Sequence, residues 1–160
     1  MGTRFNQCFL NSDNCDGDNF YYPTAEKMQE AIKFRLYSYE NRWFVRFTVI
    51  DKKTSKAIGT IELFNRGETD DDFSNVGVLR LDIRSDHEKE SVLFDIISLI
   101  IPSAYSLFDC TEIITKAPSY AIERISAIEK FGFKKSDGLL VGKYGTHDKY
   151  PYNEYWTVKK

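Results

Sequence analysis

The chain has 160 residues, 42% of them hydrophobic and 15% aromatic, which is enough for one domain around one core. Charged residues make up 29% and the formal net charge is -2, so no long-range field gathers polyanions and nucleic acid is excluded as the main partner. The longest apolar stretch, Val92 to Ile101, is broken by Asp95 and Ser98 and falls short of the roughly 20 residues that a bilayer crossing takes, so no membrane partner is expected.

The N-terminal residues Arg4, Asn6 and Gln7 lack the charged-then-apolar order of a secretory signal, and a cytoplasmic location is expected. Residues 1–19 show little periodicity, with turn formers packed from Asn11 to Asn19, and read as an irregular segment ahead of a single domain over 20–160. Thr24 offers an N-cap, and Ala25, Met28, Ile32, Leu36 and Tyr39 recur at helical spacing, predicting a helix over 24–38 with that stripe buried. Trp43 to Ile50 alternates as a strand, and the polar turn Asp51 to Lys56 leads into Ala57 to Phe64, an antiparallel hairpin. The acidic run Glu68 to Asp72 reads as a solvent-facing loop before a third strand at Val76–Ile83.

From Ser85 the period changes to about 3.6, with Val92, Ile96, Leu99 and Ile100 on one side, and Ser85 with Glu88 fits a capping box. Pro102 should kink or end this helix, because it lacks the N–H needed at that turn. Cys110 reads as a small buried thiol. Cys8, Cys15 and Cys110 contain no CxxC pair and His87 and His147 lie far apart, so neither a metal site nor a disulfide framework is expected. Thr111–Thr115 follows a crossover helix and should run parallel to Val76–Ile83. Pro118 opens a further helix with Ala121, Ile122, Ile125, Ile128 and Phe131 on its buried face, and Gly132 ends it as a left-handed residue with Phe133 folding back. Gly138–Tyr144 and Tyr152–Val158 read as two closing strands. The whole is an α/β fold with a mixed sheet and helices on both faces.

Two stretches carry a likeness to a known family. Ala57-Ile-Gly-Thr-Ile-Glu-Leu-Phe64 and Val76-Gly-Val-Leu-Arg-Leu-Asp-Ile83, followed by the long helix, resemble the third and fourth strands and the cofactor helix of the GNAT superfamily of acetyltransferases. Ala121 to Phe133, ending Glu129-Lys-Phe-Gly-Phe133, is similar to the family's next helix, and Glu154 to Val158 to its last strand. The resemblance implies a mostly antiparallel sheet with a splayed central parallel pair and acetyl-CoA as co-substrate. The pantetheine arm would pair with backbone near Leu81, Asp82 and Ile83. The diphosphate would sit on the amides that open the long helix, here Lys89, Glu90, Ser91, Val92 and Leu93, with Ala121 and Arg124 contributing from the later helix.

The sequence departs from that pattern. The family's arginine or glutamine and its two loop glycines align with Glu88, Ser91 and Leu93, which makes the diphosphate loop degenerate. Asp86, Glu88 and Glu90 cluster where the diphosphate would lie, with Arg84, His87 and Lys89 as partial relief, and read as acids that stabilise a helix N-terminus. The family's asparagine aligns with Ala121 and its tyrosine acid with Ile128.

Transfer to an amine needs a proton acceptor, for which Asp82 and Glu62 are the strand carboxylates nearest the cleft. Tyr144, with Tyr120 and Tyr150 beside it, could supply the missing hydroxyl. The resemblance implies an N-acetyltransferase acting on a primary amine by direct attack in a ternary complex. The alternative is a catalytically silent binding or regulatory module on the same fold. The acidic loop hints at a cationic acceptor such as a polyamine, aminoglycoside or lysine. The aromatic closing strand could pair with a second copy to give a homodimer.

Overall fold

The computed structural model describes residues 23–140 and 154–160. The irregular segment 1–19, Tyr144, Tyr150 and most of the first closing strand therefore lie outside the described residues. In chain order the elements are α1 (Ala25–Glu40), β1 (Val45–Asp51), β2 (Lys56–Asn65), β3 (Gly77–Ile83), α2 (Glu90–Leu107), β4 (Glu112–Lys116), α3 (Ile122–Phe131), β5 (Lys134–Lys135) and β6 (Tyr155–Lys159). One six-stranded sheet has the order β1-β2-β3-β4-β6-β5. It is antiparallel everywhere except between β3 and β4, which run parallel and are joined through α2.

Alternation along the strands sorts the two faces. Leu79, Leu81 and Ile83 join Leu93, Ile96, Ile97 and Ile101 of α2 and Ala127 and Ile128 of α3 in the main core. The other face carries a smaller cluster of Phe73, Val76, Val78, Ile114 and Tyr155. Phe44, next to the core-facing Val45, meets Phe34 of α1 with ring centroids 6.2 Å apart, so α1 lies on the face opposite α2 and α3. By length and composition α2 is apolar enough to cross a bilayer, contrary to the sequence reading, but its apolar stripe from Leu93 to Tyr105 is buried in this domain's core.

Several local expectations need correcting. The apolar stripe of α1 does not face inward: Met28, Ile32, Leu36 and Tyr39 are exposed, and Ser38 is the buried residue, its hydroxyl donating to the Phe34 carbonyl. Periodicity located the helix, but tertiary packing chose a different side of it. Pro102 sits within α2, and the helix runs on through it to Leu107. The capping box does not form. Ser85–His87 makes a single 3-10 turn, and α2 begins only at Glu90, with Lys89 at the N-cap position giving no side-chain hydrogen bond. Ile122, expected in the core, is exposed.

Of the first closing strand, predicted over Gly138–Tyr144, only Gly138 to Leu140 is described. Lys134–Lys135 pairs with β6, and Gly138 to Leu140 contributes no more than an isolated bridge. Tyr155 and Trp156 of β6 are buried, and the strand is hydrogen-bonded on both sides at Trp156 and Thr157, so they offer no edge to a second copy.

Other expectations match. Thr24 caps α1 through the Lys27 N–H. Gly132 ends α3 at φ 117°, with its N–H and that of Phe133 both donating to the Ile128 carbonyl. Cys110 is a buried free thiol. The acidic run is only partly a solvated loop: Arg66 forks onto both Asp71 oxygens, at 2.6 and 2.7 Å, and also donates to the Phe73 carbonyl. This buried pair folds residues 66–73 back so that Phe73 plugs the second face of the sheet.

Candidate active site at the parting of two parallel strands

The two parallel strands are hydrogen-bonded neighbours for three residues only, Gly77 opposite Ile113, Val78 opposite Ile114 and Leu79 opposite Thr115. Beyond Thr115 the register of β4 continues with β6, through Lys116 opposite Tyr155, while β3 runs on to Ile83 paired with β2 alone. The strands therefore part, and among the described residues no strand lies against the β4-facing edge of β3 over Leu81–Ile83. Buried backbone groups left in this way need other partners. Thr115 Oγ1 donates to the Leu79 carbonyl at 2.9 Å, and Arg124 Nη2 donates to the Leu81 carbonyl at 2.8 Å.

Arg124 is fully buried, and the same guanidinium pairs with Glu88, itself 8% exposed. The second Glu88 oxygen, Oε2, is buried without a hydrogen-bond partner. Burial pushes the Glu88 carboxyl above the usual range, against the pull of Arg124. Glu88 has thus turned inward to take a cation, where the sequence reading had it closing a capping box. Its position just before α2 gave no sign of a partner 36 residues away.

The start of α2 is also engaged. Glu123, in the first turn of α3, accepts the Glu90 N–H at 2.7 Å, which satisfies an otherwise orphaned amide at the positive end of the helix dipole. The Glu90 carboxylate in turn accepts from Ser126 and Lys130, at 2.7 and 2.8 Å, which hold it below the usual carboxylate range. Asp86 is tied to Arg84 and His87. Of the expected diphosphate residues, Leu93 is fully buried in the core, Ala121 is buried at the N-cap of α3, and Lys89 and Ser91 are exposed. Glu123 was missed at the sequence level, because an acid in a first helical turn looks like an ordinary dipole partner.

Two of the catalytic candidates differ sharply in surroundings. Glu62 is buried midway along a cross-strand ladder, opposite Arg46 on one side and Arg80 on the other, and is ion-paired to both. Both oxygens of the carboxylate are thereby committed to guanidinium groups. Asp82, two residues along β3 from Arg80, is half-buried, and burial pushes its carboxyl above the usual aspartate range despite the attraction of Arg46, Arg124 and Arg80. Tyr120 is exposed on the loop before α3.

A diphosphate does not fit the groups at the mouth of the cleft as they stand. The Glu90 amide is occupied by Glu123, the Leu81 carbonyl by Arg124, and the Glu88, Glu90 and Glu123 carboxylates all come from the segments around it. Each uncompensated anion pair at ~5 Å would cost about 3 kcal/mol at an effective dielectric near 20.

No family model and no curated protein matches this sequence. Solved structures do match it in shape. The ribosomal-protein-S5-alanine acetyltransferase from Vibrio fischeri superposes with a TM-score of 0.61 at 15% identity, over 84% of this chain and 71% of that one. The spermidine N-acetyltransferase from Vibrio cholerae, in complex with CoA and spermine, gives 0.59 at 15% identity, over 86% and 76%. The chain thus has the fold of the GNAT acetyltransferases, as the resemblance implied.

Proposed function

We propose that this GNAT-fold chain is an N-acetyltransferase that moves the acetyl group of acetyl-CoA to a primary amine by direct attack in a ternary complex. The observation that carries this reading is the parting of β3 from β4 beyond Leu79 and Thr115, with Asp82 on the stretch of β3 that continues past that parting. Burial raises its pKa, the direction that suits a group taking the ammonium proton of the attacking amine. Glu62 serves this scheme as a structural anion between Arg46 and Arg80. The amine class is supported by the spermidine N-acetyltransferase of like fold. The acidic loop supports it less, since Asp71 is neutralised by Arg66 and only Glu68, Asp70 and Asp72 of that run are exposed. We place the protein in the cytoplasm within the same proposal.

A second reading is favoured by a specific observation. Arg124 and Glu123 occupy the backbone groups that an acyl-CoA would need, as they would in a catalytically silent module that keeps the fold and has closed its cleft. Calorimetric titration with CoA, paired with thiol release from acetyl-CoA in the presence of primary amines, separates the two. Binding with amine-dependent thiol release supports the transferase. Absence of binding at millimolar CoA, by the wild type and by Glu123→Ala alike, ends that reading and leaves the silent module.

A further inference from the structure

Glu123 and Arg124 are consecutive residues in the first turn of α3, and each reaches across to a different wall of the cleft. Glu123 takes the first amide of α2, while Arg124 takes the Leu81 carbonyl of β3 together with the Glu88 carboxylate. We infer that this turn is an autoinhibitory latch, which closes the cleft in the resting protein and must withdraw before an acyl-CoA can enter. The inference rests on the transferase reading above.

Three features make the turn suited to moving as a unit. The N-cap of α3 is Ala121, which gives no side-chain hydrogen bond, so the first turn lacks the side-chain cap that would otherwise fix its start. The buried Glu88 Oε2 has no hydrogen-bond partner, so the closed state leaves one acceptor unsatisfied. The contacts of Glu90 with Ser126 and Lys130 lie further along α3, and they can persist as a pivot while the first turn shifts.

Opening also changes the sign of the site. Withdrawal of Glu123 returns the Glu90 amide to the solvent side and removes a carboxylate. A guanidinium released from Glu88 becomes a fork-shaped donor for a diphosphate, the geometry in which arginine binds phosphate well. The degenerate loop is then explained: phosphate recognition that glycine backbone does not provide at Ser91 and Leu93 comes from a side chain stored in the closed state on Glu88.

The test uses the full chain and three variants, Glu123→Ala, Glu88→Gln and Glu123→Ala with Arg124→Met. Each is titrated with CoA, alongside amide hydrogen exchange over Glu90–Leu93. Glu123 is exposed, so Glu123→Ala is expected to fold whatever becomes of the buried pair. Expected are faster exchange at the start of α2 in Glu123→Ala and at least about tenfold tighter CoA binding in Glu123→Ala and Glu88→Gln, with the gain lost again on adding Arg124→Met. Wild-type protein that binds CoA, with Glu123→Ala and Glu88→Gln binding no more tightly, overturns the latch and leaves the transferase reading intact. No binding by the wild type or any variant overturns both.

Discussion

Arg124, fully buried, donates from one guanidinium nitrogen both to the Leu81 carbonyl, at 2.8 Å, and to the Glu88 carboxylate. One side chain from α3 thereby stitches the β4-facing edge of β3 to the segment that enters α2, across the parting of the parallel strands.

Removing one partner of that pair strands the other. Arg124→Ala is expected to lower stability by about 3–5 kcal/mol, because it leaves Glu88 buried and uncompensated. Replacing both, as Glu88→Gln with Arg124→Met, is expected to cost distinctly less. Urea unfolding followed by circular dichroism measures both, and equal losses would refute the account of the pair.

Asp82→Asn is expected to abolish a proton acceptor while leaving the sheet in place. We expect acetyl transfer to fall by about 10²–10⁴-fold with unchanged far-ultraviolet circular dichroism. In the wild type the rate should rise with pH as Asp82 ionises, with a midpoint above the ordinary aspartate range. A pH–rate profile unaltered by Asp82→Asn would remove the residue from the mechanism.

The same shift carries a stability consequence of fixed sign. Asp82 and Glu88 both have folded-state pKa values raised by burial, so the folded protein holds their protons where the unfolded chain has released them. Their contribution is fully present below the unfolded values and is lost as pH rises through the folded ones. Asp82→Asn with Glu88→Gln should therefore flatten the decline of stability with rising pH across that window, which urea midpoints at a series of pH values would reveal.

Two glycines are expected to resist substitution for different reasons. A Cβ on Gly59 would stand 2.4 Å from the Asp82 carbonyl oxygen and 2.8 Å from Ile83 Cα, both backbone atoms of the neighbouring strand. Gly59→Ala should cost about 1–3 kcal/mol by overpacking. Gly132 has open space around it but a φ of +117°, so Gly132→Ala should cost about 1–3 kcal/mol in backbone strain alone. Thermal unfolding of the two variants checks both, and an unchanged midpoint in either would contradict the geometry.

What could be read from the chain followed from local spacing. The period-two runs around Val45–Asp51 and Lys56–Asn65, the 3.6-residue period of α2, and Gly132 before Phe133 are set by covalent geometry over a few residues. They led to the element order, the parallel relation of β3 to β4 and the cap of α3. The outward stripe of α1, the inward turn of Glu88, and the meeting of Glu123 with Glu90 were decided by the tertiary structure alone. The latter two partnerships join residues 36 and 33 positions apart in the chain, and an acid's own neighbourhood carries no mark of which distant cation or amide it will face once the helices pack.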